Sequence, residues 1–186
     1  MYLLVGLGNK GEKYKKTRHN FGFLTIDQIV EDHGLKLVGE KFSSIVYTGV
    51  IDGKKIVALK PQTFMNNSGI AAQAAMTFYK IKLENIIVFH DEVDLDLGRV
   101  KVKTGGSSAG HNGLKSLDEK IGKDYMRVRL GVSRPANKEF EVADYVLSKF
   151  AKEEFEMVEK INKKISNLIV DLLDNKADLF VNKFYL

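Results

Sequence analysis

Tyr2-Leu3-Leu4-Val5-Gly6-Leu7-Gly8-Asn9-Lys10-Gly11 carries a short apolar run straight into glycines. A run of this length, closed by turn-forming residues, reads as a buried strand. Its glycines satisfy G-x-G-x-x-G, the pattern with which dinucleotide-binding folds pass from a strand into a helix. That use requires the helix to open at the glycines, so that its first amides face a pyrophosphate. Here a lysine-rich segment follows, and apolar helical periodicity starts only at Phe21. The acid expected at the end of a second strand also fails, since Glu31 and Asp32 close a helical pattern. The stretch predicts a strand feeding a loop, and a nicotinamide-dependent oxidoreductase is the weaker reading of it.

Further along, Ile86 to Phe89 is a second buried strand, and Ile45 to Val50 and Ile56 to Leu59 flank Asp52-Gly53, a strong hairpin turn. Arg99-Val-Lys-Val-Lys103 alternates strictly, which puts three basic side chains on one face of a strand. Tyr125 to Val132 repeats the device with Arg127 and Arg129, so two strands are expected to present cationic faces. Helical periodicity marks Phe21 to Val30, Ala71 to Tyr79 and a C-terminal stripe of Phe155, Val158, Ile161, Ile165, Leu168, Ile169 and Leu172. Alternating strands and helices predict an α/β domain with a central sheet, and the hairpin makes that sheet mixed. The C-terminal amphipathic helix is expected to pack against the core.

The 186 residues fit one domain, residues 1–186, large enough to bury a full core. With no cysteine, disulfides, thiolate metal sites and cysteine nucleophiles are excluded. The first residues offer neither a basic leader nor an apolar run long enough for a signal peptide or a membrane span, so a cytoplasmic protein without a membrane partner is expected. The net charge is +5, and the residues from Ala151 onward hold six lysines against seven acids, so the excess lies earlier. No acid falls between Leu97 and Leu117, where Arg99, Lys101, Lys103 and Lys115 sit. A second cluster is Lys10, Lys13, Lys15, Lys16 and Arg18. Such local excess fits a polyanion, although on charge alone a solvated lysine-rich surface is the better reading.

Four histidines are present. His33 precedes Gly34 at a helix C-terminus, where a basic residue complements the helix dipole. His90 ends a strand and points away from Asp91, which reads as filler. His19 sits at the junction of the lysine-rich loop and the first helix, and His111 sits in the small-residue loop Gly105 to Gly113, both settings that suit a site. Asp91 follows a buried strand at the carboxyl end, where open α/β sheets place ligands, and a carboxylate there is able to orient an imidazole base. The absence of Gly-x-Ser-x-Gly leaves no serine elbow, and the acidic turn Asp91 to Asp96 does not match a calcium loop. Water activated by histidine is the remaining simple hydrolytic route, with Asn9, Asn66 and Asn112 as neutral donors for a developing oxyanion.

Taken together, Val5-Gly-Leu-Gly-Asn9, Tyr14 with Thr17-Arg-His-Asn20, Lys60-Pro-Gln-Thr-Phe-Met-Asn-Asn-Ser-Gly69, His90-Asp-Glu-Val-Asp-Leu95 and Gly110-His-Asn-Gly113 resemble the bacterial peptidyl-tRNA hydrolase family, in the family's order. The resemblance implies a three-layer α/β/α fold around a twisted mixed sheet, and a metal-independent, cofactor-free monomer that releases peptides from tRNAs that have dropped off ribosomes. It implies that His19 is the general base and that Asp91 orients it, with Asn9 distinguishing N-blocked peptidyl-tRNA from free aminoacyl-tRNA. Tyr14, Phe64, Asn66 and Asn112 match tRNA or peptidyl contacts, and Met65 and His111 line the cleft. Arg99, Lys101, Lys103 and Arg129 fall where the family binds phosphates.

Two departures stand out. Lys10 replaces the family's usual proline, and Ser107-Ser108-Ala109 replaces a stretch that in many members has more glycine and a further histidine. Both bear on substrate affinity more than on the base. A non-catalytic RNA-binding module, for which basic strand faces suffice, is the competing class.

Overall fold

The computed structural model describes residues 1–186. The opening apolar run forms β1 (Tyr2–Gly6), whose alternating side chains feed two cores: Leu3 and Val5 on one face, Leu4 on the other. Around it stand β2 (Lys36–Lys41), β3 (Ser44–Ile51), β4 (Lys54–Pro61), β5 (Ile86–Glu92), β6 (Val100–Thr104) and β7 (Met126–Gly131), in the order β2-β3-β4-β1-β5-β7-β6. β4, β1, β5 and β7 are parallel, while β3 and β6 run antiparallel to their neighbours. The mixed sheet follows from the hairpin, where Asp52 and Gly53 take φ of 50° and 74°, the paired left-handed residues of a two-residue turn.

Helices cover both faces. On the Leu4 side lie α1 (Phe21–His33) and the C-terminal helices; on the Leu3 side lie α2 (Ser68–Tyr79) and α3 (Asn112–Ile121). A short α4 (Val142–Val146) leads from β7 towards α5 (Lys152–Asn167), α6 (Ile169–Leu173) and α7 (Ala177–Phe184). The three-layer α/β/α architecture is therefore present. The C-terminal stripe is carried by α5 and, after a tightened turn at Leu168, by α6, with Val158, Ile161, Ile165, Ile169 and Leu172 buried. No helix is long and apolar enough to cross a membrane.

The glycine pattern acts in packing. After Gly11 comes only a 3-10 turn, Glu12–Tyr14, so no helix opens on the loop. Gly6 and Gly22 instead let α1 press onto the sheet: a Cβ on Gly22 would collide with the carbonyl of Phe89 and the amide of Leu7. That approach carries the residues just before α1 over the end of β5.

Two expectations about charge are corrected. β7 is an interior strand, and Arg127 is buried beneath α3, where it donates to Asp118 at 2.9 Å and to the carbonyls of Lys123 and Ser107. Only β6 offers an open cationic face, with Lys101 and Lys103 exposed and Val100 turned to the core. Arg18 is buried as well, and does not belong to the exposed lysine cluster. β6 is the edge of the sheet, and there the Tyr185 hydroxyl donates to the Val100 carbonyl and accepts from the Val100 amide, both at 2.8 Å.

Candidate active site

Several chain segments meet at the carboxyl ends of β1, β4 and β5, the place where doubly wound sheets open a crevice. They enclose a cleft of about 630 Å³ lined by Asn9, His19, Met65, Asp91 and His111, among others. His19 lies in a 3-10 turn, Arg18–Asn20, whose flanks are pinned from outside. Arg18 donates to Ser148, to the Lys149 carbonyl and to Glu154 at 2.9 Å, and its guanidinium stacks 4.4 Å from the Tyr145 ring. With the turn held this way, the His19 ring has little freedom.

Nδ1 of His19 stands 2.8 Å from Oδ2 of Asp91. Nε2 of His111 stands 2.9 Å from Oδ1 of the same carboxylate. The second nitrogen of His111 accepts from the amides of Gly113 and Leu114 at 3.1 and 3.3 Å, so the imidazole caps α3 in the manner of a serine or aspartate. Those amides are donors, which places the His111 proton on Nε2 and directs it at Asp91. By the same reasoning the His19 proton on Nδ1 is held by Asp91, and Nε2 carries the lone pair.

The electrostatics follow from this geometry. Burial alone would raise the Asp91 pKa, but the charges of His19 and His111 and their hydrogen bonds outweigh it and hold the carboxyl well below the usual range. Burial would lower the His19 pKa, yet the Asp91 charge and hydrogen bond win and raise it above its ordinary value. Donor atoms of His19, Asp91 and His111 lie within 4.8 Å of one another, a spacing compatible with a cation. Both ring nitrogens that face the carboxylate hold protons here, so the group is built as a hydrogen-bonded triad.

Asn9 is fixed by a reciprocal pair with Asn20: the Asn9 amide donates to Asn20 Oδ1 and the Asn20 side chain donates to the Asn9 carbonyl, each at 2.9 Å. The Asn9 side-chain oxygen accepts from the Met65 amide at 2.8 Å. An amide donor can only meet oxygen, so Nδ2 of Asn9 is the free end. Phe64 makes this bond available by taking φ of 59°, a left-handed value that a bulky residue adopts only under constraint from its surroundings. Phe64, Asn66 and Asn112 are exposed at the rim, and neither asparagine side chain is engaged by the protein.

The remaining predicted residues stand apart. Tyr14 lies outside the cleft, its ring 4.8 Å from the Lys13 ammonium. Arg99 stacks on Tyr185 at the β6 edge. Lys101 and Lys103 flank the glycine-rich loop, Lys103 lying against Gly106, while Arg129 is tied to Glu92 at 3.1 Å. Glu92 itself lines the cleft, so the basic face adjoins the site without entering it.

Several contributors were not anticipated. Val142, Val146 and Leu147 give the cleft an apolar wall. Arg18 and Asn20 hold the His19 turn and Asn9, and only their places beside His19 in the chain hinted at it. His90 is not filler: it is buried, it packs 5.3 Å from His111 edge to face, and Nδ1 lies 2.8 Å from the Asp91 carbonyl.

A family model described as peptidyl-tRNA hydrolase matches residues 3–185. A peptidyl-tRNA hydrolase of Aliarcobacter butzleri is 50% identical over 186 residues, covering 100% of both chains, and one of a Wolbachia strain from Drosophila simulans is 49% identical over 98% of both. The crystal structure of peptidyl-tRNA hydrolase from Acinetobacter baumannii superposes with a TM-score of 0.92 at 34% identity, covering 99% of this chain and 94% of that one. Helicobacter pylori MTAN, at 10% identity and a TM-score of 0.55, shares the fold alone.

Proposed function

The chain belongs to the peptidyl-tRNA hydrolase family, and from that membership we propose that it hydrolyses the ester joining a peptide to tRNA with His19 as general base. The observation that carries the assignment of the base is the 2.8 Å contact between His19 Nδ1 and Asp91, which leaves Nε2 as the proton acceptor facing the cleft. Nε2 takes a proton from water, and the water oxygen attacks the ester carbonyl. The free Nδ2 of Asn9 meets the carbonyl oxygen as negative charge grows on it. When the bond to the ribose oxygen breaks, the His19 imidazolium returns its proton to that leaving oxygen.

Asn66 and Asn112 at the rim, with Phe64 and Met65, hold the peptidyl end, and the apolar wall takes its side chains. Lys101, Lys103, Arg99 and Arg129 face tRNA phosphates, with Tyr14 on the lysine-rich loop as a further RNA contact. The protein works as one domain spanning residues 1–186, as a cytoplasmic monomer, without metal or cofactor, on peptidyl-tRNA shed by ribosomes. The test is release of N-acetyl-aminoacyl from tRNA in the presence of a chelator, beside the unblocked aminoacyl-tRNA. Selective release that disappears in His19→Ala is expected; undiminished release by that variant overturns the assignment of the base.

A further inference from the structure

We propose that His90 is a positioning residue for this hydrolysis, holding the main chain of Asp91 in place where β5 outruns its neighbour β1. This rests on the reading above in one respect only, that Asp91 orients the base. The pairing of β1 with β5 ends at Gly6 and Phe89, and the Phe89 carbonyl is taken by the Leu7 amide at 3.0 Å. Carbonyls two residues apart on a strand face the same side, so that of Asp91 also points to the β1 side, where the chain has turned away towards Asn9. An unpaired carbonyl buried there would lose its solvation without replacement and leave the peptide free to rotate. Nδ1–H of His90 fills the gap at 2.8 Å, standing in for the strand that is missing.

The surroundings of His90 are built for that single bond. Its Nε2 is buried without a partner, so the ring is held by Nδ1 and by packing. The ring face and edge engage His111, the residue that holds Asp91 Oδ1. The titratable groups facing His90 are Asp91, His111 and Arg127; burial first, then His111 and Arg127, keep it neutral, which preserves one fixed tautomer. His90 thus acts on both ends of Asp91: on the carbonyl directly, and on the carboxylate through His111.

The test compares His90→Asn, His90→Gln and His90→Leu in the full chain. Asparagine sets an N–H donor near the position of Nδ1, whereas glutamine sets one near Nε2. Two readouts are followed: kcat and KM on N-acetyl-aminoacyl-tRNA, and the titration of His19 by NMR without substrate. Expected is a fall in kcat of roughly 10- to 100-fold in His90→Leu and His90→Gln, the range produced by misplacing a reacting group by about 1 Å, with KM little changed. In those two variants the His19 titration moves to lower pH, because Asp91 no longer holds it upward. His90→Asn recovers most of both. Equal behaviour of the asparagine and glutamine variants overturns the proposal, as does an unmoved His19 titration in either impaired variant. Because the titration needs no substrate, it stands even if the reaction itself were assigned wrongly, a failure that His19→Ala reports separately.

Discussion

Nε2 of His111 donates to the one oxygen of Asp91 that His19 leaves open, at 2.9 Å, while its other nitrogen caps α3. One imidazole thus joins the start of a helix to the carboxylate that holds His19. His111→Ala removes both. Loss of the cap costs about 1 kcal/mol of stability, read as a lowered denaturant midpoint. His111→Asn, which restores a capping oxygen, recovers stability but not rate, because its shorter side chain does not reach Asp91. Equal recovery of rate would mean that the bond to Oδ1 does not matter.

Asp91→Asn changes the pH profile in a direction set by the His19 shift. On the proposed assignment His19 acts as a base when neutral, so activity in the parent protein falls as pH drops through a pKa raised above the ordinary 6.5. Without the carboxylate the burial of His19 is unopposed, and the acid limb of kcat/KM moves to lower pH, with kcat itself down by about 10²- to 10⁴-fold. Stability obeys the same linkage. The raised His19 pKa contributes stability present below pH 6.5 and lost as pH climbs through the folded value. The depressed Asp91 pKa contributes stability present above 3.8 and lost on acidification towards its folded value. The margin of the parent over Asp91→Asn in urea midpoint is accordingly widest between pH 3.8 and 6.5.

Asn9→Asp leaves the main-chain bonds to Asn20 and an oxygen for the Met65 amide, so the fold stays intact. What it removes is the free Nδ2. A carboxylate oxygen in its place repels the developing oxyanion, and kcat is expected to fall by about 10²- to 10³-fold, measured by single-turnover release with circular dichroism as the control for folding. Activity within a few-fold of the parent would move the oxyanion donor elsewhere.

Lys101 and Lys103 should be separable from Arg127 by experiment. Replacing both lysines with alanine is expected to weaken tRNA binding and to lower the slope of log K against log salt by roughly 1.5 to 2, one charge per residue. Arg127→Met leaves the half-buried Asp118 without its cation and is expected to cost about 3 kcal/mol of stability, with little effect on that slope. Filter binding across a salt series and chemical denaturation distinguish the two.

Much of the fold was legible because the responsible signals are local. The β1 and β5 runs, the Asp52-Gly53 turn and the stripe ending at Leu172 depend on neighbours a few residues away; the first three took their expected form, and the stripe, expected on one helix, is divided at Leu168 between α5 and α6. β2 escaped notice because an edge strand with mostly exposed residues lacks an apolar period. Helix α3 was hidden by the glycine-rich loop and by a cap made from histidine, which is not a usual capping residue. The roles of Arg127 and Arg18 were misread for one physical reason: alternation and charge are visible in a sequence, but the layer that covers a strand is not. Arg127 has the spacing of an exposed cation and lies under α3; Arg18 has lysine neighbours and points inward to Glu154. His90 was missed because its bond to the Asp91 carbonyl exists only where β1 stops short, and strand length is decided by the partner.

The hydroxyl of Tyr185 has a consequence for the chain in a crowded solution. β6 is one of the sheet's two outer strands, and a strand of that kind is a template on which another protein's backbone can extend the sheet. The phenol occupies both polar groups of Val100, and Arg99 closes over its ring at 4.8 Å, so the tail of the chain acts as a stopper on that edge. Lys101 and Lys103 supply the second deterrent, since like charges resist edge-to-edge pairing of two copies. The strand proposed to meet tRNA phosphates is thereby also the strand whose edge is closed to pairing with a second copy.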